Sequence, residues 1–321
     1  MLRDKREKKF VQVAVMAAVG VALAMGAAMA ADYPKRKPIT IVVPFKAGGG
    51  SDNVARVVAP ELAAILGQDV IVKNIGGAGG TIGTADAAAA KGDGYTLGYI
   101  PVGPMVSQPH LRNLPFGLES FKYVCRITDG PIVLMTPKES GFKTVDDVVK
   151  GAKAKPNKLV FTGPVGSVPY ISMLAFNGAW GLKMKTLPLN SADTAKNMAG
   201  GLVHFHAAQP NVMGRYDLHG ITFFSGERLA EYPDIPAAKE SGHDLQYSIW
   251  AGLNVPSSTP DDVVAVLEEA CAKAVKTDRF IKNMKRVQAP IAYQGVKDYT
   301  AFVKEQFATY GDILTKAGLK K

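Results

Sequence analysis

The stretch "VVPFKAGGGSDNVARVV", residues 42–58, joins an apolar run to a helical pattern through three consecutive glycines. The run that it continues, "PITIVVPF" (38–45), is rich in β-branched residues, which favour a strand. Beyond the glycines, apolar residues recur at helical spacing, and Ser51 or Asp52 is the natural helix N-cap. The stretch therefore predicts a strand, a glycine loop and a helix in that order.

A second unit of the same kind follows in "VIVKNIGGAGGTIGTADAAAA", residues 70–90. Strand-like and helix-like segments continue to alternate along the chain, and a further set of them occupies residues 132–249. This alternation is typical of α/β layers in which most strands run parallel. The carboxyl ends of neighbouring parallel strands meet at one edge of a sheet, so we expect the two glycine loops to lie side by side there.

Both glycine loops have the form of an anion-binding site. The first N–H groups of a helix have no partner within it, and the helix dipole favours negative charge at that end. Two such ends could hold one carboxylate; the alternative is that the glycines serve only tight turns. A nucleotide phosphate loop is excluded, because no Lys-Ser or Lys-Thr follows "AGGGSDN". "GGAGGTIG" is one residue too long for the dinucleotide-binding pattern.

Other chemistries find little support in the sequence. His204 and His206 share one face of a strand, but no nearby ligand completes a metal site, and the alternative is that their protonation tunes an anion pocket. No G-x-S-x-G motif is present. The net charge of +10 suits anions, whereas a nucleic-acid site would need a basic and aromatic stripe that is missing. We expect no metal, no cofactor, no nucleic-acid partner and no enzymatic step.

The first thirty residues have the pattern of a secretory signal peptide. A basic segment, "MLRDKREKKF", precedes an apolar run of small residues, and Ala28-Met29-Ala30 fits the cleavage pattern; a membrane anchor is the alternative. Export would place Cys125 and Cys271 in an oxidising compartment, where one disulfide is possible. Because a chain of this length buries its core without cross-links, two free buried thiols are the favoured interpretation.

Several motifs in order resemble one family. They are "YPKRKPITIVVPFKAGGGSDNVAR", "VKNIGGAGGTIG" followed by "GDGYTL", and later "YPDIPAAKESG" and "WAGLNVPSSTP". Together they resemble the periplasmic substrate-binding proteins of tripartite tricarboxylate transporters, the Bug family. The resemblance implies a two-lobed, type II-like periplasmic-binding-protein fold of the Venus flytrap kind, each lobe a mostly parallel sheet flanked by helices. Lobe I would comprise residues 31–131 and 250–321, and lobe II residues 132–249, after a signal peptide at 1–30.

The resemblance also implies a function. A monomeric protein of the periplasm would capture a small organic carboxylate between its lobes and deliver it to membrane permease subunits. Two alternatives stay open: a periplasmic sensor that presents the carboxylate to a membrane receptor, and an exported α/β enzyme. The sequence does not identify the carboxylate.

In the family the two glycine loops of the first lobe hold one carboxylate, and they correspond here to residues 45–52 and 77–80. Phe45 would wall the pocket, and Lys46 is either a carboxylate partner or a solvated lysine at its lip. Asp52 would accept hydrogen bonds from the ligand or cap the helix. The candidate ligand-binding residues are Phe45, Lys46, Gly48, Gly49, Ser51, Asp52, Gly77, Ala78, Gly79, Thr162, Gly163, Ser167, Asn190 and His204.

The second lobe departs from the family pattern. Tyr170 stands where a histidine is usual, Leu189 replaces a tyrosine, Asn190 a lysine, and His204 an aspartate. Because this lobe would read the far end of the ligand, the loss of a tyrosine hydroxyl and a lysine suggests a distal group less polar than that of citrate.

Overall fold

The computed structural model describes residues 33–189 and 191–320. The predicted signal peptide and Asn190 lie outside the described residues. The strands are β1 (Ile39–Val43), β2 (Val70–Asn74), β3 (Thr96–Pro101), β4 (Phe121–Pro131), β5 (Val133–Pro137), β6 (Val160–Thr162), β7 (Lys185–Leu187), β8 (Phe205–Ala208), β9 (Leu218–Phe223), β10 (Ser248–Pro256) and β11 (Ile291–Gln294).

The helices are α1 (Gly50–Leu66), α2 (Thr81–Ala88), α3 (Gln108–Leu111), α4 (Val145–Ala154), α5 (Val168–Ala179), α6 (Ser191–Ala199), α7 (Asn211–Tyr216), α8 (Asp261–Ala274), α9 (Asp278–Arg286) and α10 (Val296–Lys316). Within the described ranges, none of these helices has both the length and the apolar character that crossing a membrane requires. A π-helical turn at Gly103–Ser107 leads directly into α3.

The described strands form two sheets. The first sheet has the order β11-β4-β10-β3-β1-β2, and the second has the order β7-β6-β8-β5-β9. Strand β1 pairs in parallel with β2 and β3, and β6 pairs in parallel with β7 and β8. These are the strands that helices connect, as the alternating pattern predicted.

The remaining strand pairs correct the expectation of mostly parallel sheets. Strand β10 is antiparallel to β3 and β4, β11 is antiparallel to β4, and β5 is antiparallel to β8 and β9. The cause lies in the chain path: it leaves the first sheet along β4, enters the second through Ile132 and returns along β10. Two neighbouring strands that carry the chain out and back must run in opposite directions. The α/β class is confirmed, with mixed sheets.

Helix α1 begins two to three residues earlier than the sequence suggests. Its N-cap is Gly49, with no side-chain hydrogen bond at the cap, rather than Ser51 or Asp52. The helix ends at Gly67, which adopts the left-handed conformation and donates its N–H to the Ala63 carbonyl. The N-cap prediction was wrong because the side chain of Asp52 bonds backward into the loop, as described below.

The first sheet packs its α1 and α8 face into a dense core. Ile39, Ile41 and Val43 alternate with residues of the other face and are fully buried. A disulfide joins Cys125 on β4 to Cys271 on α8, across a sequence separation of 146 residues. The favoured interpretation of two free thiols was therefore wrong. Both cysteines are buried, as expected, but only the packing of α8 against β4 brings them within bonding distance.

A second core extends through both sheets. It contains Tyr123 and Trp250 from the first sheet, Phe161 from the second, and Tyr310 from α10. The strands divide between the sheets where the predicted lobe boundaries fall, with β1–β4, β10 and β11 on one side and β5–β9 on the other. The boundaries themselves stay a prediction, because this apolar cluster is shared between the two sheets.

Candidate ligand-binding cleft

Two glycine loops lie against each other at the carboxyl ends of β1 and β2. The first loop (residues 45–49) follows β1 and the second loop (residues 76–80) follows β2, and the parallel register pairs Val43 with Asn74. The Asn74 side chain donates to the Phe45 carbonyl at 3.1 Å. A methyl group at Gly76 would lie 3.3 Å from the backbone nitrogen of Lys46. The two glycine loops are therefore adjacent, as the sequence predicted.

The second loop has a backbone that few side chains tolerate. Residues 77–80 all have positive φ, from 47° at Ala78 to 137° at Gly77. Gly80 (φ 94°) lies so close to the first loop that a β-carbon there would be 2.9 Å from Cζ of Phe45. The half-buried Phe45 ring is therefore packed on the second loop, as a wall between loop and core.

Both loops end at helix N-termini that no side chain caps. Gly49 caps α1 and Gly80 caps α2, and neither cap has a side-chain hydrogen bond. The first N–H groups of the two helices are consequently available to an anion. Lys46, Gly48 and Gly49 are exposed at the rim, as are Gly77, Ala78 and Gly79, while Ser51 is half-buried.

Asp52 holds the first loop in place. It is 2% exposed, and its Oδ2 accepts from the Gly48 N–H at 2.8 Å and from Arg56 Nε at 3.0 Å. Arg56 also donates to Asn74 Oδ1 at 3.2 Å, which extends the chain of bonds to β2. Burial alone would raise the pKa of the Asp52 carboxyl, but the bonds from Arg56, Gly48 and Asn74 outweigh it and lower the pKa.

A third loop, residues 163–167, follows β6 in the second sheet. Thr162 is buried; its hydroxyl donates to the Leu187 carbonyl at 2.8 Å and accepts from the Leu189 N–H at 3.4 Å. Gly163 approaches α5 so closely that a methyl group would lie 2.9 Å from the Tyr170 nitrogen. The hydroxyl of Thr162 thus orders the loop after β7.

Ser167 is the N-cap of α5, and its side chain accepts from the Tyr170 N–H at 3.3 Å. The Thr162 hydroxyl both donates to and accepts from the backbone, whereas the Ser167 hydroxyl only accepts and keeps its own proton to donate. Direct ligand contacts by Thr162 and Ser167 stay predictions.

The structure places His204 away from the third loop. Thr162 pairs with His206, and His204 lies two residues earlier, where its Nδ1 accepts from the Val160 N–H at 3.2 Å. His206 instead reaches the carboxyl end of β6, with Nδ1 3.3 Å from the Thr162 carbonyl oxygen. His204 thus lies about 6.6 Å along the sheet from the carboxyl end of β6, because two residues of strand span that distance, and its contact with the ligand stays a prediction.

Burial lowers the pKa of both histidines, although for His206 the bond to the Thr162 carbonyl opposes the shift. Both imidazoles therefore favour the neutral form at neutral pH. In the part of the chain that the structure describes, no three His, Cys, Asp or Glu side chains are grouped so that they could bind a metal ion.

Sequence reasoning missed two residues that connect the loops of the two sheets. Ser107 Oγ lies within hydrogen-bonding distance of the Gly166 carbonyl and 2.8 Å from the Gly103 carbonyl. Gln108 Nε2 donates to the Val165 carbonyl at 3.4 Å. Both follow β3, the strand beside β1, through the π-helical turn, a form that is frequent at functional sites. A polar pair within the apolar segment after β3 was the available signal.

A separate cavity of about 330 Å³ lies beside Thr40, Lys73, Asp86 and Thr96. Thr40 and Thr96 lie near the amino ends of β1 and β3, whereas the glycine loops follow the carboxyl ends. The candidate site is therefore defined by the three converging loops and the helix ends that they carry, not by this cavity.

This fold and site define a class. Two α/β sheets linked by crossing strands, with loops from both meeting beside helix N-termini, are the architecture of a two-lobed periplasmic binding protein. The structure of the periplasmic binding protein BugD matches with a TM-score of 0.77 at 28% identity, covering 90% of this chain and 100% of that one. MatC from Rhodopseudomonas palustris with bound malate matches with a TM-score of 0.75 at 26% identity, covering 87% and 99%.

The family follows from the sequence comparison. The family model described as the tripartite tricarboxylate transporter family receptor matches residues 54–319, and the chain belongs to this family. A UPF0065 protein in the TAR-I ttuE-ttuC' intergenic region of Agrobacterium vitis is 32% identical over 264 residues, which cover 80% of this chain and 76% of that one. The resemblance read from the glycine motifs is thereby confirmed, and the chain is a solute-binding protein of this family.

Proposed function

We propose that this protein captures a small organic carboxylate in the periplasm, between a lobe of residues 31–131 and 250–321 and a lobe of residues 132–249. It then delivers the carboxylate to the membrane permease subunits of a tripartite tricarboxylate-type transporter. The observation that carries the proposal is the pair of adjacent, uncapped helix N-termini of α1 and α2. The malate bound to the similar MatC supports the same ligand class.

The electrostatics of the loops favour a carboxylate over a neutral solute. Each helix N-terminus contributes about 0.3–1 kcal/mol toward a bound anion, and up to ~2 kcal/mol where it is partly buried. The buried carboxylate of Asp52 would repel an anion, but the bonds from Arg56 and the Gly48 N–H compensate its negative charge. The N–H groups of the second loop and of both helix ends are then the nearest charge-complementary groups.

For transport, the permease must distinguish the ligand-bound protein from the ligand-free protein. A ligand held by the first two loops and by the third loop contacts both lobes only when they are close together, so binding shifts the population toward the closed form. The residues of the cleft supply binding and orientation, and no bond of the solute is made or broken. A single chain contains all three loops, which fits a monomer.

Calorimetric titration and thermal shift of the purified chain test the proposal. Malate, succinate, adipate, citrate and benzoate serve as probes, and the corresponding amides serve as uncharged controls of similar shape. We expect at least one acid to raise the melting temperature, as RT ln(1 + [L]/Kd) requires, while its amide does not. Equal binding of acid and amide, or no binding of any acid, would contradict the proposal.

Delivery needs its own measurement. Membrane vesicles that contain the permease subunits take up the radiolabelled acid identified above, with and without this protein. We expect uptake to depend on the protein and to fail with the Gly80→Ala variant, whose loop is distorted. Uptake that is the same without the protein would refute delivery while leaving carboxylate binding intact.

A further inference from the structure

Gln108 lies where the loops of the two sheets meet. The residue is 5% exposed, and a β-carbon added at Gly79 in the second loop would be 3.4 Å from its Nε2. A β-carbon at Gly166 in the third loop would be 2.9 Å from the same atom. The amide therefore fills the space between a loop of the first sheet and a loop of the second, beside the helix ends proposed to hold the carboxylate.

The neighbouring carbonyl determines which way this amide points. The Val165 carbonyl oxygen can only accept a hydrogen bond, so the NH₂ group must face it, as the 3.4 Å contact shows. Oε1 then points away from the third loop. It is buried, and no hydrogen-bond partner for it exists among the residues that the structure describes.

A buried acceptor without a partner is unfavourable, and a side chain of similar size without polar atoms would avoid it. The contact with the third loop does not require an amide either, because Ser107 beside it already bonds to the Gly166 carbonyl. The free acceptor at Gln108 therefore points to a donor supplied from the cleft.

We propose that Gln108 is a specificity-determining residue whose Oε1 accepts a hydrogen bond from a hydroxyl group of the bound acid. This inference rests on the proposed function and narrows it: the ligand is a hydroxy acid, with its hydroxyl next to the carboxylate that the glycine loops hold. A deoxy acid of the same length leaves Oε1 unpaired in the closed cleft and binds more weakly. The hydroxy acid gains one neutral hydrogen bond, whereas the deoxy acid leaves one buried acceptor unpaired. This contrast predicts about a tenfold difference in affinity between the two acids.

Paired titrations of the full chain test this inference. The hydroxy acids malate, lactate and citrate are each compared with their deoxy counterparts succinate, propionate and tricarballylate. Among the pairs that bind, we expect the hydroxy acid to bind about tenfold more tightly to the wild type. In Gln108→Leu, which keeps the bulk but lacks the acceptor, this ratio should fall to about one.

Ser107→Ala is the matched control. It removes the neighbouring bond to the Gly166 carbonyl but leaves Oε1 of Gln108 in place, so we expect it to weaken both members of a pair equally and to preserve the ratio. A general loosening of the loops would give the same result in both variants. Circular dichroism and melting temperature of each variant confirm that it is folded.

The outcomes separate the two proposals. If acids bind but hydroxy and deoxy acids bind alike, or if the ratio persists in Gln108→Leu, the role of Gln108 is refuted while carboxylate capture stands. If no acid of either series binds the wild type, the proposed function fails and this inference fails with it. Loss of the ratio in Gln108→Leu with its retention in Ser107→Ala establishes the role.

Discussion

Substituting Gly80 by alanine should disturb the candidate site more than its small size suggests. Gly80 has φ 94°, and its added methyl carbon would lie 2.9 Å from Cζ of Phe45 and 3.1 Å from Cγ of Pro104. The first of these distances is shorter than β-carbons adopt, so the Phe45 ring or the second loop must move. Either movement displaces the contact between the two glycine loops.

The expected magnitude has two parts. A residue with a β-carbon in the left-handed region costs roughly 1–2 kcal/mol relative to glycine. Extra volume in a packed site costs roughly 1–3 kcal/mol, and the lower half of that range applies because Phe45 is only half-buried. We expect Gly80→Ala to lower the free energy of unfolding by about 2–4 kcal/mol, and to weaken carboxylate binding at least about tenfold.

Urea unfolding followed by tryptophan fluorescence and calorimetric titration of the best-binding acid measure both effects. Gly178→Ala is the control: Gly178 is exposed in α5, lacks positive φ and has open space around it, so the change should stabilise by about 1 kcal/mol and leave affinity unchanged. Adding Phe45→Leu to Gly80→Ala should restore part of the stability by relieving the clash. The described packing would be refuted if the free energy of unfolding of Gly80→Ala lay within about 0.5 kcal/mol of the wild-type value and its affinity for the acid within about twofold.

Three further outcomes follow from the buried groups. Replacing Cys125 and Cys271 by alanine should lower the free energy of unfolding by about 3–5 kcal/mol, since the bond closes 146 residues; reactive thiols in the unfolded, unreduced wild type would contradict this. Asp52→Asn should lower the free energy of unfolding by about 1–2 kcal/mol at neutral pH. This loss is smaller than a buried ion pair would give, because Arg56 is exposed and solvent screens its charge. The folded state lowers the pKa of Asp52, so the difference between wild type and Asp52→Asn is present above the ordinary pKa of about 3.9. The difference should vanish as the pH falls through the lowered folded-state pKa. Urea unfolding of both proteins at neutral and acid pH measures it. The lowered pKa of His206 likewise predicts stability that is present above about pH 6.5 and declines as pH falls further, and His206→Gln should flatten this dependence in melting curves.

The local motifs could be predicted because they depend on neighbouring residues. The strand–glycine–helix units around residues 42–58 and 70–90 rest on β-propensity, glycine and helical spacing, all of which act within a few residues. The N-cap of α1 was missed for a related reason. Asp52 is a good capping residue, but its carboxylate bonds to the Gly48 N–H and to Arg56 instead, and the choice between these bonds depends on the fold of the loop.

Within the candidate site, the sequence indicated the first sheet better than the second. The first two loops come together because one helix and one strand separate them, so their adjacency follows from a single parallel pair. His204 was preferred to His206 because the alignment of motifs carries no strand register, and register depends on packing between strands far apart in the chain. Gln108 escaped notice because its partners, Gly79 and Val165, become neighbours only across the cleft.

The amino-acid order by itself determined the α/β class, the two glycine loops and the family. Each of these rests on short motifs, or on the order in which such motifs follow one another along the chain, and neither requires knowledge of which distant segments pack together. Tertiary structure alone decided the mixed strand directions, the bond between Cys125 and Cys271, the histidine that lies at the carboxyl end of β6, and the place of Gln108. All four depend on which distant segments pack together. That choice is made by burial of the shared core over the whole chain, which no local pattern contains.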